Sequence, residues 1–183
     1  MITRKILITA ALLLSSLLSW GQRTSAGTSA ATLRGGYTGG GECASLMFSH
    51  YTLNGIYEIG VAGHGYTKPT SIDVDMPYGD FNVEAAYLWR LGGDYTHRFN
   101  VYGGFGGFIG YRIYDLGHKL PDDAYTGLKN SDFTYGLFPQ LDVEYYIGDR
   151  LAVLLTGQVP VNFVSEIKSQ IHYQGSLGVR FSF

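Results

Sequence analysis

The chain has 183 residues, enough for one domain, with a net charge of −2 and a single cysteine, Cys43. One cysteine excludes an intramolecular disulfide. The lack of clustered Lys and Arg beyond Arg4 and Lys5 excludes an electrostatic nucleic-acid surface. The composition is rich in glycine (26), tyrosine (15) and phenylalanine (10), which favours short strands and turns over helices.

The N-terminus reads as an export signal. Arg4 and Lys5 precede an uncharged, mostly apolar run from Ile6 to Leu18, and Ser19 and Gly21 flank Trp20. A cationic start, an apolar run and small residues predict cleavage after Gly21. The run is shorter than the ~20 residues a spanning helix needs, and it is not followed by the cysteine of a lipid-anchored protein. Residues 22–31 then read as a flexible segment, and 32–183 as the folded domain.

From there the apolar residues repeat with period two, the period of a strand with two different faces. Leu33 and Tyr37 alternate with Arg34, and Tyr57, Ile59 and Val61 with Glu58 and His64. Between them, Ala44 to Thr52 is a strand of ambiguous phase. Phe81, Val83, Ala85, Tyr87 and Trp89 alternate with Asn82, Glu84, Ala86, Leu88 and Arg90. In the stretch Phe99 to Tyr114, Val101, Phe105, Ile109, Tyr111 and Ile113 hold one phase, and Asn100, Gly104, Gly106, Gly110 and Arg112 the other. From Phe133 to Ile147, aromatic and aliphatic residues alternate with Thr134, Gly136, Phe138, Gln140, Asp142, Glu144 and Tyr146. A seventh strand runs from Leu151 to Phe163. The eighth runs from Ile171 to Phe183, with His172, Gln174, Ser176, Gly178, Arg180 and Ser182 in its polar phase.

The connections alternate in length. Asn54-Gly55 suits a two-residue hairpin, and Gly92 to His97 and Gly148-Asp149 are also short. Lys68 to Gly79 and Asp115 to Ser131 are long. Short turns at one end and longer loops at the other predict an all-β fold: an eight-stranded antiparallel up-and-down transmembrane barrel, closed because a lipid-exposed sheet can leave no unpaired edge. A soluble sandwich accounts less well for aromatics at the strand ends, namely Tyr57, Tyr87, Trp89, Phe99, Tyr111, Phe133, Tyr145 and Phe181. The terminal Phe183 is similar to the aromatic by which bacterial outer-membrane proteins are recognised for assembly. These features imply outer-membrane lipid and the barrel-assembly machinery as partners.

If the apolar phase faces lipid, the other phase lines a lumen only wide enough for side chains. That phase holds Arg34, Glu58, Glu84, Arg112, Asp142, Glu144 and Arg180, with Arg90 near one end. Charges of both signs in so narrow a space pair, because a lone buried charge is costly. The expectation is a structural plug rather than a channel. Asp142 and Glu144 share one strand face, as a catalytic carboxylate pair would, but the mixed Arg/Glu interior favours the structural reading and no enzyme activity. His50, His64, His97, His118 and His172 lack metal-ligand spacing, and Gly103 to Gly110 does not match a phosphate-binding glycine motif. No cofactor or metal is expected.

The residues from about Leu33 to Phe183 resemble the TraO family of conjugative-transposon transfer proteins of Bacteroidetes. The resemblance rests on Leu33-Arg34-Gly35-Gly36, Val83-Glu84-Ala85-Ala86-Tyr87, Gly110-Tyr111 and Asp132-Phe133-Thr134-Tyr135-Gly136. It continues through Glu144 to Leu155 and closes on Gly178-Val179-Arg180-Phe181. It implies a non-catalytic outer-membrane component of a DNA-transfer apparatus, with other conjugation proteins as partners and no direct contact with nucleic acid. Two other readings remain at this level. One is a surface adhesin or defence barrel binding through Tyr114 to Leu128, and the other a small barrel enzyme acting on lipid.

Overall fold

The computed structural model describes residues 26–69, 75–94, 98–114, 131–163 and 172–183. The expected export signal, residues 1–21, lies outside them. Nine strand segments follow in chain order: β1 (Ser29–Thr38), β2 (Gly41–Tyr51), β3 (Gly55–Pro69), β4 (Asp75–Gly93), β5 (Phe99–Tyr114), β6 (Ser131–Tyr146), β7 (Leu151–Gln158), β8 (Val161–Asn162) and β9 (Gln174–Ser182). Successive segments from β1 to β7 pair antiparallel, β8 pairs with β6, and β9 pairs with β7 and returns to pair with β1. The β7 and β8 segments form one stave. Both pair with β6 and keep one register across Val159 and Pro160: Gln140 opposes Gln158 and Gly136 opposes Asn162. Proline has no N–H to give a ladder, so it interrupts the stave without shifting it. Eight staves therefore close a ring with no long open edge among the described residues.

The register fixes the barrel's width. Partners followed from Ala152 pass through Arg180, Thr32, Met47, Gly60, Glu84, Phe108 and Gly136. They arrive at Asn162, ten residues further along the stave that holds Ala152. Eight staves with that shear tilt by about 40°, given a rise of roughly 3.3 Å per residue and a spacing of about 4.8 Å between strands. The interior of such a barrel is filled by side chains.

The two phases take opposite sides. Leu33, Leu46, Ile59, Val83, Phe105, Ile109, Leu137, Leu141, Leu155, Leu177 and Val179 stand outward and exposed. Thr32, Arg34, Glu58, Glu84, Asn100, Gln140, Asp142, Glu144, Thr156 and Arg180 point inward and are buried. An apolar outside around a polar inside inverts a soluble protein, and it follows from which phase of each strand carries which residue type. Outward aromatics gather at both ends. Tyr57 and Tyr87 lie 4.6 Å apart and Tyr87 and Trp89 5.1 Å apart at the end that holds the chain terminus. At the other end Phe133, Tyr135 and Phe163 are neighbours, with centroids 6.1 and 6.0 Å apart.

Several boundaries differ from the sequence reading. Ser29, Ala30 and Ala31, expected in a flexible segment, belong to β1, where they pair with β2. The hairpin after β2 centres on Leu53-Asn54 rather than Asn54-Gly55: Thr52 N–H donates to the Gly55 carbonyl, and Gly55 N–H donates to Thr52 Oγ1. The hydroxyl of Thr52 closes the turn one residue earlier than the Asn-Gly signal suggests. Lys68 and Pro69, and Asp75 to Gly79, continue the β3–β4 ladder instead of forming loop. Their Pro and Gly residues look like turn signals, but the neighbouring strand supplies the pairing. The β2 phase is settled: Cys43, Met47, Ser49 and Tyr51 point inward.

Candidate functional site

The distinctive chemistry of the barrel is inside it. Arg34 on β1 and Arg180 on β9 sit on adjacent staves, and both reach across the lumen. Arg34 Nη2 donates to Glu58 Oε2 at 2.6 Å and to Asp142 Oδ2 at 3.4 Å. Arg180 Nη2 pairs with Glu58 Oε1 and lies 3.6 Å from Asp142 Oδ2. Its Nη1 meets Glu144 Oε1 at 3.1 Å, and its Nε donates to Thr32 Oγ1 at 2.8 Å. Glu58 thus bridges both guanidiniums, a use of the rigid Arg fork that lysine could not reproduce.

Neutral donors complete the cluster. Gln140 Nε2 donates to both Glu58 and Asp142 at 3.0 Å, and Gln140 Oε1 accepts from Gln158 Nε2 at 2.8 Å. Ser49 Oγ donates to Glu58 at 3.1 Å. Tyr51 donates to Glu144 Oε1 at 2.6 Å, while its hydroxyl lies 3.1 Å from that of Tyr146. These bonds join β1, β2, β3, β6, β7 and β9 across the ring. Beside the charges, Tyr51, Ile56, Ala86, Leu88, Tyr102, Phe108 and Phe138 form one buried apolar cluster. Some of the tight inner spacing needs glycine: a Cβ on Gly104 would overlap the Tyr87 carbonyl oxygen.

A second cluster lies nearer the opposite end. Arg112 holds Asp80 with two bonds, Nε to Oδ1 at 2.6 Å and Nη2 to Oδ2 at 2.7 Å. His64 Nε2 lies 3.1 Å from Gln174 Oε1, and His64 Nδ1 lies 3.3 Å from Asn82 Nδ2.

Of the seven lumen charges named from sequence, Arg34, Glu58, Asp142, Glu144 and Arg180 form the one network. Arg112 stands apart with Asp80. Glu84 is buried in the lumen but makes no ion pair with the arginines of the network. Arg90 is exposed at the barrel end, where the β4–β5 ladder shifts between Arg90 and Gly92. Asp80 was missed because it abuts the stretch read as a loop, although it continues the inward phase of Asn82 and Glu84. Tyr51 was hidden by the ambiguous phase of its strand. Phe183 faces outward, its ring 6.2 Å from that of Phe48. The loop considered for surface binding lies, beyond Tyr114, outside the described residues.

Chemically, the central cluster holds barrel walls together. Asp142 and Glu144 are both fully buried, and each is engaged by Arg180 and by a neutral donor, Gln140 or Tyr51. Among the described residues no group of three His, Cys, Asp or Glu side chains is placed to hold a metal ion.

A closed eight-stave meander with an apolar outside and a bonded charged inside has the architecture of the small outer-membrane barrels of bacteria. The Neisserial surface protein NspA shares it, with a TM-score of 0.60 at 13% identity over 85% of this chain and 96% of that one. OprG of Pseudomonas aeruginosa also scores 0.60, at 11% identity over 89% and 98%. The attachment invasion locus protein Ail of Yersinia pestis, solved with the heparin analogue sucrose octasulfate, scores 0.51 at 11% identity over 85% and 99%. At such identities the likeness concerns the fold. No curated protein matches the chain in sequence. The chain belongs to the conjugative transposon protein TraO family, whose pattern matches residues 42–183.

Proposed function

We propose that this chain spans the bacterial outer membrane as a non-catalytic component of a conjugative transfer apparatus, working through contacts with other transfer proteins. The observation that carries the reading is the match to the TraO family over residues 42–183. The barrel supports the location: its outward phase is apolar between two aromatic belts, the pattern of a bilayer-spanning barrel. The filled lumen supports the mode of action. Charges tied to one another across the ring leave the outer surface and the two rims as the working parts. With the short turns at the periplasmic end, as is usual for such barrels, both rims are available to partners in the envelope. Phe183, outward at the periplasmic end, is the residue the assembly machinery would read.

The experiment is in a donor cell. An affinity-tagged copy, cross-linked in place and purified from the outer-membrane fraction, is expected to bring down other products of the same transfer element. Deletion of the gene is expected to lower transfer frequency, and a plasmid copy to restore it. A barrel that fractionates elsewhere, or a deletion that transfers at the parental rate, would overturn the proposal.

A further inference from the structure

Two arginines crown the end of the lumen that carries the short turns. Arg90 keeps the inward phase of β4, opposite buried Tyr102, and Arg98 stands two residues before buried Asn100, in the inward phase of β5. Both are exposed because the ladder ends there. A Cβ on Gly93 would lie 3.1 Å from Arg90 Nη2 and 2.9 Å from Asn100 Oδ1, so the Arg90 guanidinium sits over the opening rather than on the outer wall. Arg90 N–H donates to the Asn54 carbonyl at 2.9 Å, and the Arg98 carbonyl accepts Tyr146 N–H at 2.7 Å, which seats the pair between the β2–β3 turn and the end of β6. Among the described residues neither arginine has a carboxylate within ion-pair distance. The neighbouring charges are engaged: Asp94 Oδ1 accepts Phe99 N–H at 3.0 Å, and Asp149 and Arg150 have partners of their own. Nearby, at the tip of the β2–β3 turn, Leu53 is 87% exposed, more than any other large apolar side chain described.

We propose that this mouth docks an acidic, extended segment of a periplasmic transfer protein, with its carboxylates on Arg90 and Arg98 and an apolar side chain against Leu53. The inference rests on the outer-membrane orientation proposed above, which turns the short-turn rim to the periplasm. Charge sets the kind of segment, because exposed cations without a partner steer and select an anionic one. Phase favours peptide over lipid: headgroups surround the outer wall, whereas these arginines stand over the lumen. Spacing favours a segment over a single small anion. Arg98 lies four residues beyond Tyr102, the partner of Arg90, about 13 Å further along β5, a gap that an extended segment with several carboxylates bridges. Tyr51, Tyr102 and Tyr146 are buried beneath the arginines and close the floor, so a segment seated there stops at the rim.

The test uses the full barrel in phosphatidylcholine nanodiscs and a rhodamine-labelled hexaglutamate, read by fluorescence anisotropy. The wild type is expected to bind this probe and not hexalysine, and to release it as salt is raised. Arg90→Gln with Arg98→Gln should weaken binding about tenfold, as two exposed ion pairs allow, whereas Arg90→Lys with Arg98→Lys should keep most of it. Both positions lie outside the lumen network, so heat-modified gel mobility should stay that of an inserted barrel. In donor cells a photo-cross-linking residue at Leu53 should capture an acidic segment of a transfer protein, and Arg90→Glu with Arg98→Glu should abolish the capture. Hexaglutamate bound equally well by the glutamine pair would overturn the site. So would binding that disappears when phosphatidylglycerol replaces part of the neutral lipid, which would assign the arginines to headgroups. A donor that needs the gene for transfer, yet yields no acidic segment at Leu53, would overturn the partner and leave the proposed function standing. A deletion that transfers normally would strike the proposed function itself.

Discussion

Arg180→Met tests the lumen network at its most connected point. Arg180 is fully buried, donates to Thr32, Tyr51 and Glu144, and pairs with Glu58. The methionine fills much of the space but leaves Glu144 with Tyr51 as its remaining partner in the cluster. Arg34 becomes the one cation near both Glu58 and Asp142. Removing one member of a buried ion pair costs about 3–5 kcal/mol, and two carboxylates losing a cation together place this variant toward the upper value. Arg180→Lys keeps the charge but not the fork, and should cost about 1–3 kcal/mol for the hydrogen bonds it cannot make. Adding Glu144→Gln to Arg180→Met should recover part of the loss, since the uncompensated anion is then gone. Urea unfolding in phospholipid vesicles, followed by tryptophan emission and gel mobility, measures each. An Arg180→Met barrel within about 1 kcal/mol of wild type would refute the reasoning, because only a water-filled lumen lets such a pair count for so little.

Leu141→Lys places a charge on the outward face and should oppose insertion by about 2–4 kcal/mol if the residue lies near the midplane, read from the same unfolding curves. Gly104→Ala should destabilise by about 1–3 kcal/mol through overpacking, whereas Gly35→Ala, whose Cβ would meet nothing within 4 Å, should be close to neutral. Cys43 is buried and should resist maleimide in the folded barrel, then react fully in denaturant, as mass spectrometry would record. Planar-bilayer recording of the refolded chain should give no large steady conductance.

Most of the architecture was legible because a two-faced strand writes itself in the sequence: Leu141, Val143 and Tyr145 against Gln140, Asp142 and Glu144 can only be sorted one way. Pairing was not legible. Glu58 meets Arg180, 122 positions away, because the shear brings their staves to one height, and shear is set by backbone register rather than by residue type. Strand ends were also hidden. Pro69, Pro77 and Gly79 look like turn residues, yet the β3–β4 ladder from the Gly65–Gly79 pair to the Pro69–Asp75 pair runs through them. Conversely, Pro160 breaks a strand that its flanking valines seem to continue. Arg90, read from sequence as inward near one end, does keep the inward phase opposite Tyr102 and is exposed because it stands at the barrel's end.

Trp89 offers the most direct test of the claim that this barrel's outer wall faces lipid. In a Trp20→Phe background it is the chain's only tryptophan, outward and half-exposed within the aromatic belt. In vesicles carrying brominated phospholipids, bromine near the headgroup should quench it more strongly than bromine deep in the chain, and aqueous acrylamide should quench it little. Strong quenching by acrylamide, with none from either lipid, would place that face in water and contradict the account.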